Sequence, residues 1–305
     1  MRRMEEVLKG FVIIVVIIGV GVVLGRRRSL GPNASQALGN FVYLVATPAL
    51  LFDKLTHMEP GQVFNKNFIV IVASALLTGV LFFLVYRFAA GRSTEDSVIA
   101  MLAASYSNAG NLGIPLAVYV LDDASLVIPV ILFQIAFYAP VTMTWLDILH
   151  QREHTSLWKN LVVTPLKNTM VIAALSGLAF TGFGWHVPDI VAQPLTLLGG
   201  ASVPLALVLF GMGLTWNAAW RKEVLAVAAS KNVGHPIIAF LLASALGLHD
   251  HQLMAACILG ALPTAQNVYT YALRQHTNVA LARDAGLVTT VLSFPVIVVL
   301  SMIIG

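Results

Sequence analysis

"FVIIVVIIGVGVVLG", residues 11–25, is apolar without a single polar interruption. A transmembrane β-strand alternates apolar and polar residues over about ten positions, because one face meets lipid and the other the lumen. A continuous run can satisfy its backbone in lipid only as an α-helix, whose hydrogen bonds stay within the segment. The rest of the chain repeats the pattern. Hydrophobic residues make up 58% of the 305 and charged residues 10%, against about 25% charged in a soluble domain. Roughly 20 apolar residues cross a hydrocarbon core of about 30 Å. By that measure ten spans are predicted: Gly10–Leu24, Gln36–Phe52, Phe68–Tyr86, Val98–Leu121, Leu126–Leu149, Leu161–Phe183, Ile190–Leu214, Val224–Leu248, Leu253–Leu273 and Ala285–Ile304. They leave no stretch for a soluble domain, so the expectation is an all-α membrane protein.

The first run follows Arg2 and Arg3 as a signal peptide would, yet it leads into Arg26, Arg27 and Arg28 rather than small residues. That reads as a retained, short first span. Cys257 is the only cysteine, which excludes a disulfide framework and a cysteine metal site. The net charge of +4 does not point to nucleic acid, because the basic residues sort by loop. With the N-terminus outside, Arg26, Arg27, Arg28, Arg87, Arg92, Arg152, Lys159, Arg221, Lys222, Arg274 and Arg283 are inside. Arg2, Arg3, Lys9, Lys54 and Lys66 are outside, a bias of eleven to five. The positive-inside rule then puts both termini outside.

Five spans precede the one sizeable hydrophilic loop, residues 150–160, and five follow it. An odd number per half forces the halves 1–149 and 161–305 to insert with opposite orientation, the arithmetic of an inverted repeat. At an offset of 156, Gly21 falls on Gly177, Pro48 on Pro204 and Asn111 on Asn267, in the first, second and fourth spans of each half. Those fourth spans are the interrupted ones. "SNAGNLGIP" (107–115) places Asn108, Gly110, Asn111, Gly113 and Pro115 in span four, and "ALPTAQNVYTYA" (261–272) places Pro263, Thr264, Gln266 and Asn267 in span nine. Irregular backbone at membrane depth is tolerated only where protein or an aqueous cavity satisfies it. Paired interruptions at matching positions point to a transporter's binding site. The bland alternative is that small residues merely let helices pack closely.

The ordered set "NFVYLVATPALLF" (40–52), "NLGIPL" (111–116), "SVPLALVLFGMGL" (202–214) and "ALPTAQNVYTYA" (261–272) resembles the auxin efflux carrier family, which includes plant auxin exporters and bacterial malonate-type carriers. The resemblance covers essentially the whole chain. It implies ten spans in two inverted five-helix repeats, broken crossing helices four and nine, and a small carboxylate bound near the crossing. It also leaves room for a homodimer. By motif, the asparagine after the first break matches Asn108 and the proline of the second break matches Pro263. Two departures stand out: Ser107 replaces a proline of the plant pattern, and Asn168-Thr169 replaces its Asn-Pro near the start of span six, which carries Asn168 over less directly. The long central loop of many plant members is absent, which points to a prokaryotic carrier in a bacterial inner membrane.

The chemistry of the proposed site fits an anion. A broken helix offers free N–H groups and a positive dipole end where its second half begins. Asn108, Asn111, Gln266 and Asn267 add neutral donors, and Gly110 and Gly113 let backbone approach a ligand. Pro48, Pro115 and Pro204 are expected to be structural. Lys231 is the one basic residue deep in a span, nine residues and so about 13 Å beyond Lys222. It is expected to serve the substrate or a gate, with an internal partner or snorkelling as alternatives; His235, one turn on, is expected to pack. Neither break carries an Asp or Glu, which disfavours a sodium or proton antiporter. "HDH" (249–251) falls in a turn and is not expected to bind metal. No phosphate loop, HExxH or GxSxG motif appears, so neither an enzyme nor a cofactor is expected. The expected activity is carriage of small organic anions, such as malonate or auxin-like acids, by alternating access. A same-fold antiporter and a membrane sensor with a vestigial pocket are the alternatives.

Overall fold

The computed structural model describes residues 2–58, 65–150, 156–214 and 220–304. Among them every predicted span is occupied by helix. We number these α1 (Arg2–Arg27), α2 (Ala34–Thr56), α3 (Lys66–Ala89), α4a (Thr94–Ser105), α4b (109–119) and α5 (Ala124–Leu149). There follow α6a (Lys159–Leu166), α6b (Thr169–Gly182), α7 (Asp189–Gly213), α8 (Lys222–Ala245), α9a (Asp250–Ala261), α9b (Gln266–Gln275) and α10 (Val279–Ile304). The described residues contain no strand, only one isolated β-bridge.

Among the described residues six helices (α2, α3, α5, α7, α8 and α10) are long and apolar enough to cross a membrane, and the bent pair α6a–α6b makes a seventh. The halves of helices four and nine fall short by themselves. Twelve residues in α4a and α9a and ten in α9b amount to about 18 and 15 Å at 1.5 Å per residue, half of a bilayer core. Large apolar side chains such as Val16, Leu44, Phe88, Leu197 and Ile303 stand exposed, as lipid-facing residues do and as a water-soluble surface would not.

Three observations modify the sequence reading. Helix six bends by 70° between its halves. There Asn168 caps α6b, its Oδ1 accepting from Met170 N–H at 2.9 Å, an asparagine N-cap placed shortly after Pro165. The hydrophilic loop 150–160 is shorter than expected, since helix resumes at residue 157; residues 151–155, with Arg152, lie outside those described. Helix four is interrupted over residues 106–108 alone, and Gly110, Asn111 and Gly113 already belong to the helix that follows.

The prolines set the local geometry. Of six π-helical segments among the described residues, five (Val42–Ala46, Ala109–Gly113, Gln134–Tyr138, Lys159–Val163 and Ser230–Gly234) end two residues before a proline, namely Pro48, Pro115, Pro140, Pro165 and Pro236. Proline has no N–H to donate, and its ring crowds the carbonyl one turn earlier. Widening the preceding turn relieves that crowding while the chain stays helical.

The chain forms two compact units, each drawing on both sequence halves. The first comprises Met1–Asn65, Gly110–Ala136 and Val163–Leu214. Within it α1 lies tight against α7: a Cβ at Gly21 would run into the Val208 carbonyl, and one at Gly25 would sit 2.8 Å from Met212 Cα. Gly21 and Gly25 are four residues apart, the spacing that lets membrane helices touch through their backbones. α6b meets α2 the same way, a Cβ at Gly177 falling 2.8 Å from Leu55 Cβ. Thr47 and Ser202, beside Pro48 and Pro204, share a buried 2.8 Å hydrogen bond.

The second unit comprises Lys66–Ala109, Phe137–Val162 and Thr215–Gly305. Val70, Ala239, Ala243, Leu248 and Ala256 form a core cluster among α3, α8, α9a and the turn after α8. Charged pairs tie the helix ends: Arg92 meets Glu223, and the fully buried Asp284 carboxylate receives Arg221 at 3.0 Å and Arg283 at 2.9 Å. The boundary between the units falls inside the fourth, fifth and sixth helices, and both breaks lie in the second unit.

Candidate functional site

α4a starts on Ser93, whose hydroxyl caps Asp96 N–H at 3.0 Å, with Glu95 and Asp96 favouring the positive end of the helix dipole. It stops at Ser105, where Ser107, Asn108 and Gly110 bring poor helix formers together. α9a stops at Ala261: Pro263 disfavours helical geometry at the residue before it, and Leu262 is extended at φ −51° and ψ 143°.

The two interruptions then satisfy each other. Ser107 and Thr264 form an antiparallel bridge; Asn108 N–H donates to Pro263 O at 2.8 Å and Ala265 N–H to Tyr106 O at 3.0 Å. Side chains take the carbonyls left over at the helix ends. Thr264 Oγ1 donates to Ala103 O at 2.5 Å, closing the end of α4a. At the end of α9a, Ser107 Oγ donates to Leu259 O at 3.4 Å, Lys231 Nζ to Gly260 O at 2.7 Å and Asn232 Nδ2 to Ala261 O at 3.3 Å. Thr289 Oγ1 accepts from Thr264 N–H at 3.0 Å. Non-helical backbone here is thus paired with protein groups, as irregular backbone within a membrane must be.

Of the residues singled out in the sequence, Asn108, Pro263 and Thr264 come together in this paired segment and are buried. Gln266 and Asn267 stand exposed on the first turn of α9b, whose N-cap residue, Ala265, makes no side-chain cap. Its first amides therefore have no intrahelical acceptor and sit at the positive end of the dipole. Gly110, Asn111 and Gly113 belong to the first unit. A Cβ at Gly110 would meet nothing within 4 Å, so close helix packing does not explain that glycine. Asn168 is also in the first unit, where Nδ2 donates to Tyr43 Oη at 2.6 Å while Oδ1 caps α6b. Lys231 is fully buried, and its amino group is engaged by Gly260 O and, at 3.1 Å, His235 Nδ1.

Residues 6–301 match the family model described as "Membrane transport protein". The chain belongs to that family. The resemblance to auxin efflux carriers is thereby shown, and the molecule is a membrane transporter. It is 24% identical over 289 residues to a protein of Rhizobium meliloti named "Putative malonate transporter", covering 91% of this chain and 89% of that one. It is also 24% identical to the "Uncharacterized transporter YfdV" of Escherichia coli (strain K12), covering 83% of each chain. To the "Uncharacterized transporter MJ1031" of Methanocaldococcus jannaschii it is 22% identical, over 93% of this chain and 94% of the other.

The transporter's paired segment also has an aromatic flank that the sequence reading missed. The Tyr106 ring stacks on Tyr138 at 5.9 Å between centroids and meets Tyr271 edge-on at 6.0 Å. Tyr138 Oη and Ser105 Oγ share a 2.6 Å hydrogen bond, and Gly79 leaves room for both. Tyr106 lies in the break of helix four, Tyr138 on α5 and Tyr271 on α9b, so no spacing rule announces them. Asn232 and Thr289 were missed likewise, although a side-chain amide and a hydroxyl within apolar spans are a usable signal. A cavity of about 300 Å³ in the first unit, lined by Phe52, Asp53, His57, Trp185 and Asp189 among others, lies at helix ends apart from α4b.

Proposed function

We propose that this transporter carries small organic anions by alternating access, binding the carboxylate at the paired breaks of helices four and nine. The observation that carries the reading is the exposed first turn of α9b, with Gln266 and Asn267 beside uncapped amides, directly after the break. Neutral donors at a helix N-terminus hold an anion without a fixed charge that would trap it. In this reading Asn108 and Thr264 shape the site from the paired segment.

The same proposal takes the chain as ten crossings in two inverted repeats, 1–149 and 161–305, with both termini outside a bacterial inner membrane. Support comes from reciprocal packing. Gly21 of α1 lies against α7 and Gly177 of α6b against α2, so matched glycines meet matched partners. The hydrogen bond between Thr47 and Ser202 joins the matched proline turns. Malonate enters the proposal through the name of the Rhizobium meliloti relative. The test is uptake of labelled malonate and other carboxylates into proteoliposomes, with and without imposed sodium and proton gradients. Saturable uptake of a carboxylate supports the reading. Ion exchange without carboxylate flux would make the protein an antiporter, and binding without flux would make it a sensor.

A further inference from the structure

An ammonium in an apolar interior is costly unless something there compensates it. Lys231 is fully buried, and among the described residues no carboxylate pairs with it. Its partners are the Gly260 carbonyl at 2.7 Å and His235 Nδ1 at 3.1 Å. Gly260 O is one of the last four carbonyls of α9a, which lack helical partners and carry the negative end of the dipole. His235 is steadied from behind by Ser74 Oγ, 3.3 Å from Nε2. Gly260 itself is held close to α8: a Cβ there would fall 3.3 Å from Pro236 Cα. Beside Lys231, Asn232 gives its amide N–H groups to Ala261 O and Thr289 O, while its Oδ1 is buried with no hydrogen-bond partner. The broken end of α9a therefore gathers oxygen acceptors and draws one amino group from α8. Carbonyls at the C-terminal ends of broken helices are the ligands that transporters present to sodium.

We propose that Lys231 is a tethered cation, occupying the position at the broken end of α9a that a coupling sodium ion would otherwise take. It is a positioning residue, touching the carbonyl that ends α9a rather than the substrate. Because this charge is covalently attached, the helix end stays neutralised through the whole transport cycle and sodium has no place to bind there. The transport consequence rests on the carrier reading above; the occupancy of the site does not.

Purified protein is unfolded thermally in sodium chloride and in choline chloride of equal ionic strength. The wild type is expected to unfold at the same temperature in both salts. Lys231→Ala is expected to unfold several degrees lower in choline and to regain most of that loss in sodium, whereas Lys231→Arg should remain indifferent to the salt. Sodium-specific stabilisation of the wild type would overturn the proposal, because the cation position would then be open. Equal destabilisation of Lys231→Ala in both salts would also overturn it, leaving the lysine as packing alone. Should Lys231→Ala not fold, Lys231→Gln takes its place with the same expected sodium response, and the wild-type comparison needs no variant. Malonate uptake is measured alongside. Absence of uptake of malonate and of every other carboxylate tried would refute the organic-anion reading while leaving the salt comparison standing.

Discussion

Thr264→Val should loosen the paired breaks without touching the bulk of the protein. The substitution keeps side-chain volume and exchanges one hydroxyl for a methyl group. The lost hydroxyl donates to Ala103 O at 2.5 Å, and Thr264 is 1% exposed. Water therefore cannot replace the donor, and the last turn of α4a keeps an unsatisfied carbonyl. A buried polar group left without its partner costs about 1–3 kcal/mol. At roughly 2–4 °C per kcal/mol for a chain of 150–250 residues, and somewhat less here, the unfolding temperature should fall by several degrees. Thr289→Val should cost a similar amount, because it removes the acceptor of Thr264 N–H. The double variant should cost less than the sum, since both bonds meet at one residue. Thr290 supplies the control: its hydroxyl only bonds back to Gly286 O within α10, a local contact whose loss is nearly neutral. Thermal unfolding in detergent reads all four. Thr264→Val unfolding at the Thr290→Val temperature would refute the claim that this hydroxyl closes α4a.

Cysteines introduced at Ser29 and Ser156 should be shielded from an impermeant thiol reagent in intact cells, and one at Asp123 should react; labelling of the first two would refute the proposed topology. Gly21→Ala should lower stability by about 1–3 kcal/mol, because its Cβ runs into the Val208 carbonyl. Gly110→Ala should unfold at the wild-type temperature or slightly above, since its Cβ meets nothing within 4 Å. Asp284→Asn should lower the unfolding temperature more than Glu223→Gln does, because the Asp284 carboxylate is fully buried between two arginines while Glu223 is one-third exposed.

The helices were legible because lipid demands long apolar runs, and residues 11–25 meet that demand by themselves. The breaks were legible because Pro263 and the Ser107–Gly110 stretch cannot continue a helix cheaply. Their mutual pairing was not legible: it depends on Ser107 and Thr264 meeting across 157 residues of chain. Nor does sequence separate Gly260, pressed against Pro236, from Gly110, which faces open space. The 70° bend in helix six was readable in part, since Asn168 after Pro165 is an N-cap signal. Lys231 shows the limit most clearly. Its depth could be counted from Lys222, but whether it faces a substrate or a helix end could not, because that depends on which helix lies opposite.

The central claim is that the paired breaks bind the transported anion. Its most direct test is the affinity of the purified transporter for its carboxylate substrate in the wild type, Asn108→Ala and Asn267→Ala. Each neutral amide hydrogen bond is worth about 0.5–1.5 kcal/mol, so each variant should bind up to roughly tenfold more weakly. Asn267→Asp should bind more weakly still, because it sets a carboxylate against a carboxylate. Full affinity in both alanine variants, with their folds intact, would place the binding site elsewhere.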